Sequence, residues 1–416
     1  MKKDNTNEIV EHLFRHESGR IISQLSSRYG MVHLTEIEDA VSEALIRALK
    51  TWSIKDVPDS PSAWLYSVAS RILIDVLRRK QLYYEKITPQ FQLNQSSKST
   101  KQDEFATLKL MLWCAHPALS SKEQLGLMLQ LVSGFSIKEI SSALLVAPET
   151  MKKRLQRARK KIKALESELN LPDLSDVPER YPILRSAIYL GFNEGYYSVH
   201  HDNVFREDLI FESLRLNHLL CSTPHSDLGI SQALMGLMLY HTSRIPARRN
   251  ENNSIILLED QDRKKWNQNM IHIANEYMEK AMQSDYYTPY HIEAIIAGIH
   301  TQTKDYKSTN WQLIANLYAK LHEVNDNPLV QLNFCFALLK AGNFDEAQAQ
   351  MEQLSEDTFG IHQYLFYAVQ SNLAQELNDI EKQKFYLWQA VDKAPNAATR
   401  NVLRERLLKI PSASES

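Results

Sequence analysis

The chain has 416 residues, 44% of them apolar and 24% charged, with only 11 Gly and 14 Pro. That length exceeds what one hydrophobic core usually organises, and the scarcity of turn formers and of alternating β-branched runs argues against a mainly β chain, so an all-α protein of two or three domains is expected. The formal charge of -2 conceals an asymmetry: residues 1–170 hold 26 Lys and Arg against 19 Asp and Glu, leaving 22 against 31 for the remainder, which makes the front half the candidate for a polyanionic partner.

From Glu8 to about Arg79 apolar residues recur at helical spacing, interrupted at TWSIKDVPDSPSAW, where Pro58, Asp59, Ser60 and Pro61 mark a loop before a new helix. The acidic residues of MKKDNTNEIVEHLF replace the continuous apolar stretch that a signal peptide needs. No apolar run approaches the roughly 20 residues of a membrane span, and the three widely spaced cysteines, Cys114, Cys221 and Cys335, fit a reducing compartment. A cytoplasmic protein without membrane contact is therefore expected. The stretch 87–104, rich in Ser and Gln and without periodicity, reads as a flexible linker.

A second helical unit follows over 105–168. In it FSIKEISSALL (135–145) and PETMKKRLQRARKKI (148–162), joined by Val146 and Ala147, have the size and spacing of a helix-turn-helix. Met151, Leu155, Ala158 and Ile162 make one apolar stripe on the second helix, which forces its cations outward. Pro148 suits the first turn and Glu149 the positive end of the helix dipole. Glu149, Thr150, Lys152, Lys153 and Arg157 would face a major groove, with Arg154, Arg159, Lys160 and Lys161 toward phosphates. A solvated helix normally intersperses Glu among its Lys at spacing four; Glu149 is the sole acid from 146 to 164.

EDAVSEALIRAL (38–49) with PDSPSAWLYSVASRILIDVLRRKQ (58–81) resembles region 2 of the extracytoplasmic-function (group 4) sigma factors of the sigma-70 family, and 105–164 resembles their region 4, in order and without a region 3. The resemblance implies two small helical sigma domains: 1–86 for core RNA polymerase binding and minus 10 melting, and 105–168 for minus 35 reading. Capture of a flipped base falls to Asp59, Ser60 and Ser62, with Trp64, Arg71, Arg78, Arg79 and Lys80 supplying the aromatic surface and cations that single-stranded DNA needs. Trp64 reads equally as a core aromatic. Glu38, Asp39, Ser42, Glu43 and Arg47 match the surface for the β′ clamp helices, although by residue type alone they are a solvated acidic face. The β flap is the partner implied for region 4. Ala147 departs from the Ser that usually caps the recognition helix.

The prolines of LNLPDLSDVPERYP (169–182) mark another connector before a helical stretch to about Lys409. ALLKAGNFDEAQAQMEQL (337–354) and the 367–396 segment read as helix, turn, helix, with Ala337, Gly342, Ala347 and Ala390 at close approaches. This is a degenerate tetratricopeptide-like pattern beside which a plain helical bundle stays open. The tail as a whole, 183–416, looks like the extension of a sigma subgroup regulated by a fused domain. Asn193, Glu194, Tyr240, Arg244, Arg248, Glu259, Asp260, Asp262, Arg263 and Trp266 form a polar-aromatic set, either a binding surface or a buried salt-bridge network. Stacked helix pairs favour a protein or peptide partner. Cys114 with His116, His200 with His201, and His218 with Cys221 lack metal-site spacing, and no phosphate loop or nucleophile elbow is present; neither metal, cofactor nor catalytic residue is expected. The other reading is a helix-turn-helix regulator or scaffold that acts without polymerase, for which the 38–81 segment would have no use.

Overall fold

In the computed structural model the residues described are 17–52, 57–84, 100–144, 146–164, 177–197, 205–223, 227–248 and 255–411. The chain is all-α, as composition requires. Contacts divide it into two compact units, Met1–Glu194 with Glu207–Asp227, and Gly195–Arg206 with Leu228–Ser416.

In the first unit α1 covers residues 17–29, followed by α2 (Leu34–Trp52) and α3 (Pro61–Tyr84). Ile37, Val41, Ala44, Leu45, Ala48 and Trp52 of α2 are buried, a stripe at spacing three and four that packs against Leu65, Ala69 and Leu73 of α3. Next come α4 (Thr100–Cys114), α5 (Ser121–Leu131), α6 (Ile137–Ala143) and α7 (Pro148–Ala164). The expected linker ends five residues early, because α4 already includes 100–104; Lys, Gln and Glu are good helix formers even where apolar periodicity is missing. Residues 87–99, the rest of that stretch, lie outside the described ones.

Side-chain caps punctuate this half. Ser120 and Glu123 form a capping box at α5, and at α6 the Ser136 amide donates to Glu139 Oε2 at 2.7 Å while Ser136 Oγ accepts from the Glu139 amide. Helix α1 packs on α4 and α5: the Ser23 and Thr107 hydroxyls meet at 3.3 Å, both buried, and a Cβ at Gly19 would collide with the carbonyl of Val132, so no larger residue fits. After α7 the chain returns to the same unit with α8 (Tyr181–Tyr196) and α9 (Glu207–Cys221). Arg180 Nη1 donates to the Leu112 carbonyl of α4 at 3.1 Å, and buried Arg185 pairs with Asp227 at 3.2 Å. Residues 178–182 of the second expected connector are thus a 3-10 turn and the start of α8.

The second unit runs from α10 (Leu228–Ser243) through α11 (Gln268–Ala281), α12 (Pro289–Gln302), α13 (Trp311–Val324), α14 (Pro328–Ala341), α15 (Phe344–Glu352), α16 (Gln363–Glu376) and α17 (Ile380–Asp392) to α18 (Ala397–Leu408). Successive helices pair around a core that includes Ile314, Leu332, Cys335, Leu338, Phe359, Leu387 and Leu403. Ala337, Ala347 and Ala390 are fully buried where neighbours meet. Gly342 differs: a Cβ there would touch nothing, and its φ of +83 closes the end of α14, so it is required for the left-handed cap rather than for close approach. Asn267, Asn310, Asn327, Asp379 and Asn396 cap five of the helix starts through their side chains.

Candidate nucleic-acid and polymerase interface

Helix α7 is built as its spacing requires. Met151, Leu155, Ala158 and Ile162 are 0 to 4% exposed and pack toward α5 and α6. Gly126 of α5 lets Met151 and Leu155 approach, since a Cβ would stand 3.2 Å from each. The Ala147 carbonyl accepts from the Met151 amide at 3.0 Å, starting the helix without a side-chain cap from that position. Glu149, Thr150, Lys152, Lys153, Arg157 and Lys160 are exposed. Burial of the stripe is of order several kcal/mol and sets which way those charges face.

Two further cations of α7 are engaged. Lys161 donates to both oxygens of Glu123, at 2.9 and 3.1 Å. Burial raises the Glu123 carboxyl, but the Lys161 ammonium and the Ser120 amide and hydroxyl outweigh it, so its titration falls below the ordinary value. Arg159 donates through Nε and Nη2 to the two oxygens of Glu38 on α2, at 3.2 and 2.7 Å, and also to Gln130 at 3.0 Å. This fork joins a residue expected to meet phosphates to one expected to meet polymerase. Arg154 is half-buried, and its Nη1 is buried without a hydrogen-bond partner.

Around α3 the loop residues Asp59 and Ser60 are exposed, and Ser62 is half-buried in the first turn. The Ser60 carbonyl accepts from the Trp64 amide at 3.1 Å. Trp64 is half-buried with its ring 5.3 Å from that of buried Trp52. Arg71, Arg78 and Arg79 are exposed along α3, while the side chain of Lys80 lies outside the described ones. On α2, Asp39, Ser42 and Arg47 are exposed, Glu43 is half-buried, and Arg47 donates to Glu43 at 2.9 Å.

Two kinds of residue escaped sequence reasoning. Ile46 and Leu49 stand 45% and 37% exposed beside Ser42, an apolar pair off the buried stripe whose register was the available signal. Glu123 and Gln130, which hold the cations of α7, lie in α5 and carry no local mark of that role; only tertiary packing brings them there.

Three family patterns match the chain. Sigma-70 region 2 matches residues 13–83, sigma-70 region 4 matches 109–162, and a family of unknown function, DUF6596, matches 180–282. An uncharacterized protein of Rhizobium meliloti (strain 1021) is 32% identical over 378 residues, 89% of each chain. No solved structure matches. Among the described residues no helix is long and apolar enough to cross a membrane.

Proposed function

We propose that this chain, which belongs to the sigma-70 family, is an alternative sigma factor of the extracytoplasmic-function type: it binds core RNA polymerase in the cytoplasm and directs initiation at its own promoters. In this reading 1–86 serve polymerase binding and minus 10 melting, 105–168 minus 35 recognition, and 183–416 form a tetratricopeptide-like regulatory extension with a protein or peptide partner. The observation that carries it is α7, whose apolar stripe is wholly buried while Lys152, Lys153, Arg157 and Lys160 stay in solvent on one helix. Such a cationic ridge of groove width supplies phosphate contacts and base readout together.

The Arg159 fork on Glu38 gives the reading a further step. Polymerase that takes Glu38, and DNA that takes Arg159, both compete with this intramolecular pair, so engagement of core and release of α7 are coupled. The test is transcription in vitro with the full chain and core polymerase on a template library. Specific initiation that depends on the chain supports the proposal. Duplex binding without any core-dependent transcript would instead identify a conventional helix-turn-helix regulator.

A further inference from the structure

The tail set contains three arginines, Arg244, Arg248 and Arg263, within the second unit, and its three exposed acids form no ion pair with them. Glu259, Asp260 and Asp262 are exposed, and Asp262 is used locally, accepting from the Lys264 amide at 3.0 Å. Asp305, the acid nearest in effect to Arg263, is itself bound to Ser308 on the surface. Among the described residues these three acids therefore leave the arginines without an ion pair from their own set's surface side. Aromatic rings back the guanidiniums instead. Arg248 lies 4.1 Å from the Tyr196 ring and 4.8 Å from Phe205, and Arg244 and Arg263 lie 5.4 and 5.0 Å from the same indole, that of Trp266.

Ring stacking uses the faces of a guanidinium and leaves its N–H edges available. Here several of those edges are idle. Arg244 Nε, Arg248 Nη1 and Arg263 Nη2 are buried with no hydrogen-bond partner, as are Trp266 Nε1 and His300 Nδ1, on side chains 3% and 7% exposed. Native interiors leave few such groups, and a concentration of them asks for a missing acceptor. Arg263 is meanwhile fixed by bonds from Nη1 to the His300 and Thr303 carbonyls, so its fork is held rigidly. The like charges are close enough to act on their neighbours: burial first, then Arg244 and Arg248, push His241 down to about 3, and burial, Arg244 and Arg263 do the same to His300. A half-buried cluster of like charges is costly by itself and becomes favourable when an anion enters.

We propose that Arg244, Arg248 and Arg263, with the Trp266 indole N–H, form an oxyanion site in the second unit for a small ligand bearing a carboxylate or a phosphate. Because Arg244 and Arg248 are only half-buried, solvent reaches the site. The site does not depend on the chain's being a sigma factor, since it rests on residues outside the regions that carry that reading.

The experiment follows thermal unfolding of the full chain with inorganic phosphate or with succinate, each against sodium chloride at equal ionic strength. Binding to the native state raises the midpoint progressively with the logarithm of anion concentration. Arg244→Met and Arg248→Met keep side-chain length and remove the charged donors; each should raise the half-saturating concentration about tenfold or more, the worth of one charged hydrogen bond. Arg248→Lys, which keeps the charge and loses the fork, should also weaken binding. All variants share any bulk salt effect, so their difference from the native chain reads the site. A response to succinate alone assigns a carboxylate ligand and a response to phosphate alone a phosphate. No response beyond chloride with either probe, or equal responses in the native chain and all three variants, overturns the proposal.

Discussion

Two groups of cations in this molecule are handled in opposite ways. On α7 most of them project from a helix whose other face is sealed, and two are matched to carboxylates, Arg159 to Glu38 and Lys161 to Glu123. In the second unit Arg244, Arg248 and Arg263 are set against Tyr196, Phe205 and Trp266, each with one buried nitrogen unmatched. The difference teaches what each can hold. An exposed row of flexible cations suits an extended polyanion, whose affinity is dominated by counterion release. A few partly desolvated forks suit one discrete oxyanion.

Four changes break or sharpen this contrast. The largest effect is expected from Leu155→Ala, which opens a cavity beneath α7 and should cost about 2–5 kcal/mol; chemical denaturation should show it in the first unit, with duplex binding lost as α7 loses its support. Acid comes next. His241 and His300 are held neutral, pushed down to about 3, so between their ordinary value and that one the unfolded chain binds more protons than the folded. Stability of the second unit should therefore fall as pH drops below about 6.5, by at most about 1.4 kcal/mol per pH unit for each ring. Glu123 acts in the same direction but in a lower window: its carboxyl is lowered, so its contribution is complete above the ordinary Glu value and is lost only as pH falls below it. Hydrogen exchange at pH 5 should accordingly loosen α10 and α12 before α5 and α7. Equal loosening would erase the distinction.

Smaller effects concern the exposed cations. Arg157→Ala should leave stability within about 0.5 kcal/mol and reduce the slope of log affinity against log salt by about 0.9 on duplex DNA, in titrations across salt concentration. An unchanged slope would place that side chain away from phosphate. Glu38→Gln should cost no more than about 1 kcal/mol, since both partners of the pair are partly in solvent. It should tighten duplex binding by the free chain, because Arg159 is released, while weakening association with core polymerase. Tighter DNA binding without any change in core association would separate the two roles assigned to Glu38.

Periodicity and turn chemistry were enough to read the all-α class, the buried stripe of Met151, Leu155, Ala158 and Ile162, and the outward run of basic residues, because each depends on residues within two helical turns. The start of α4 at Thr100 was hidden, since helix propensity without an apolar face gives no periodic signal. The pairing of Arg159 with Glu38 spans 121 positions, and no local pattern announces it. In the tail, Arg, Asp and Trp at high density favoured mutual pairing and left a site as the alternative.

What the sequence determined alone was therefore which surfaces are apolar and which charged along each helix, a consequence of the 3.6-residue repeat. Whether a charge finds a counterion, water or an aromatic-backed place was decided by tertiary packing, because Coulomb and desolvation energies depend on distances and burial that the order of residues does not contain.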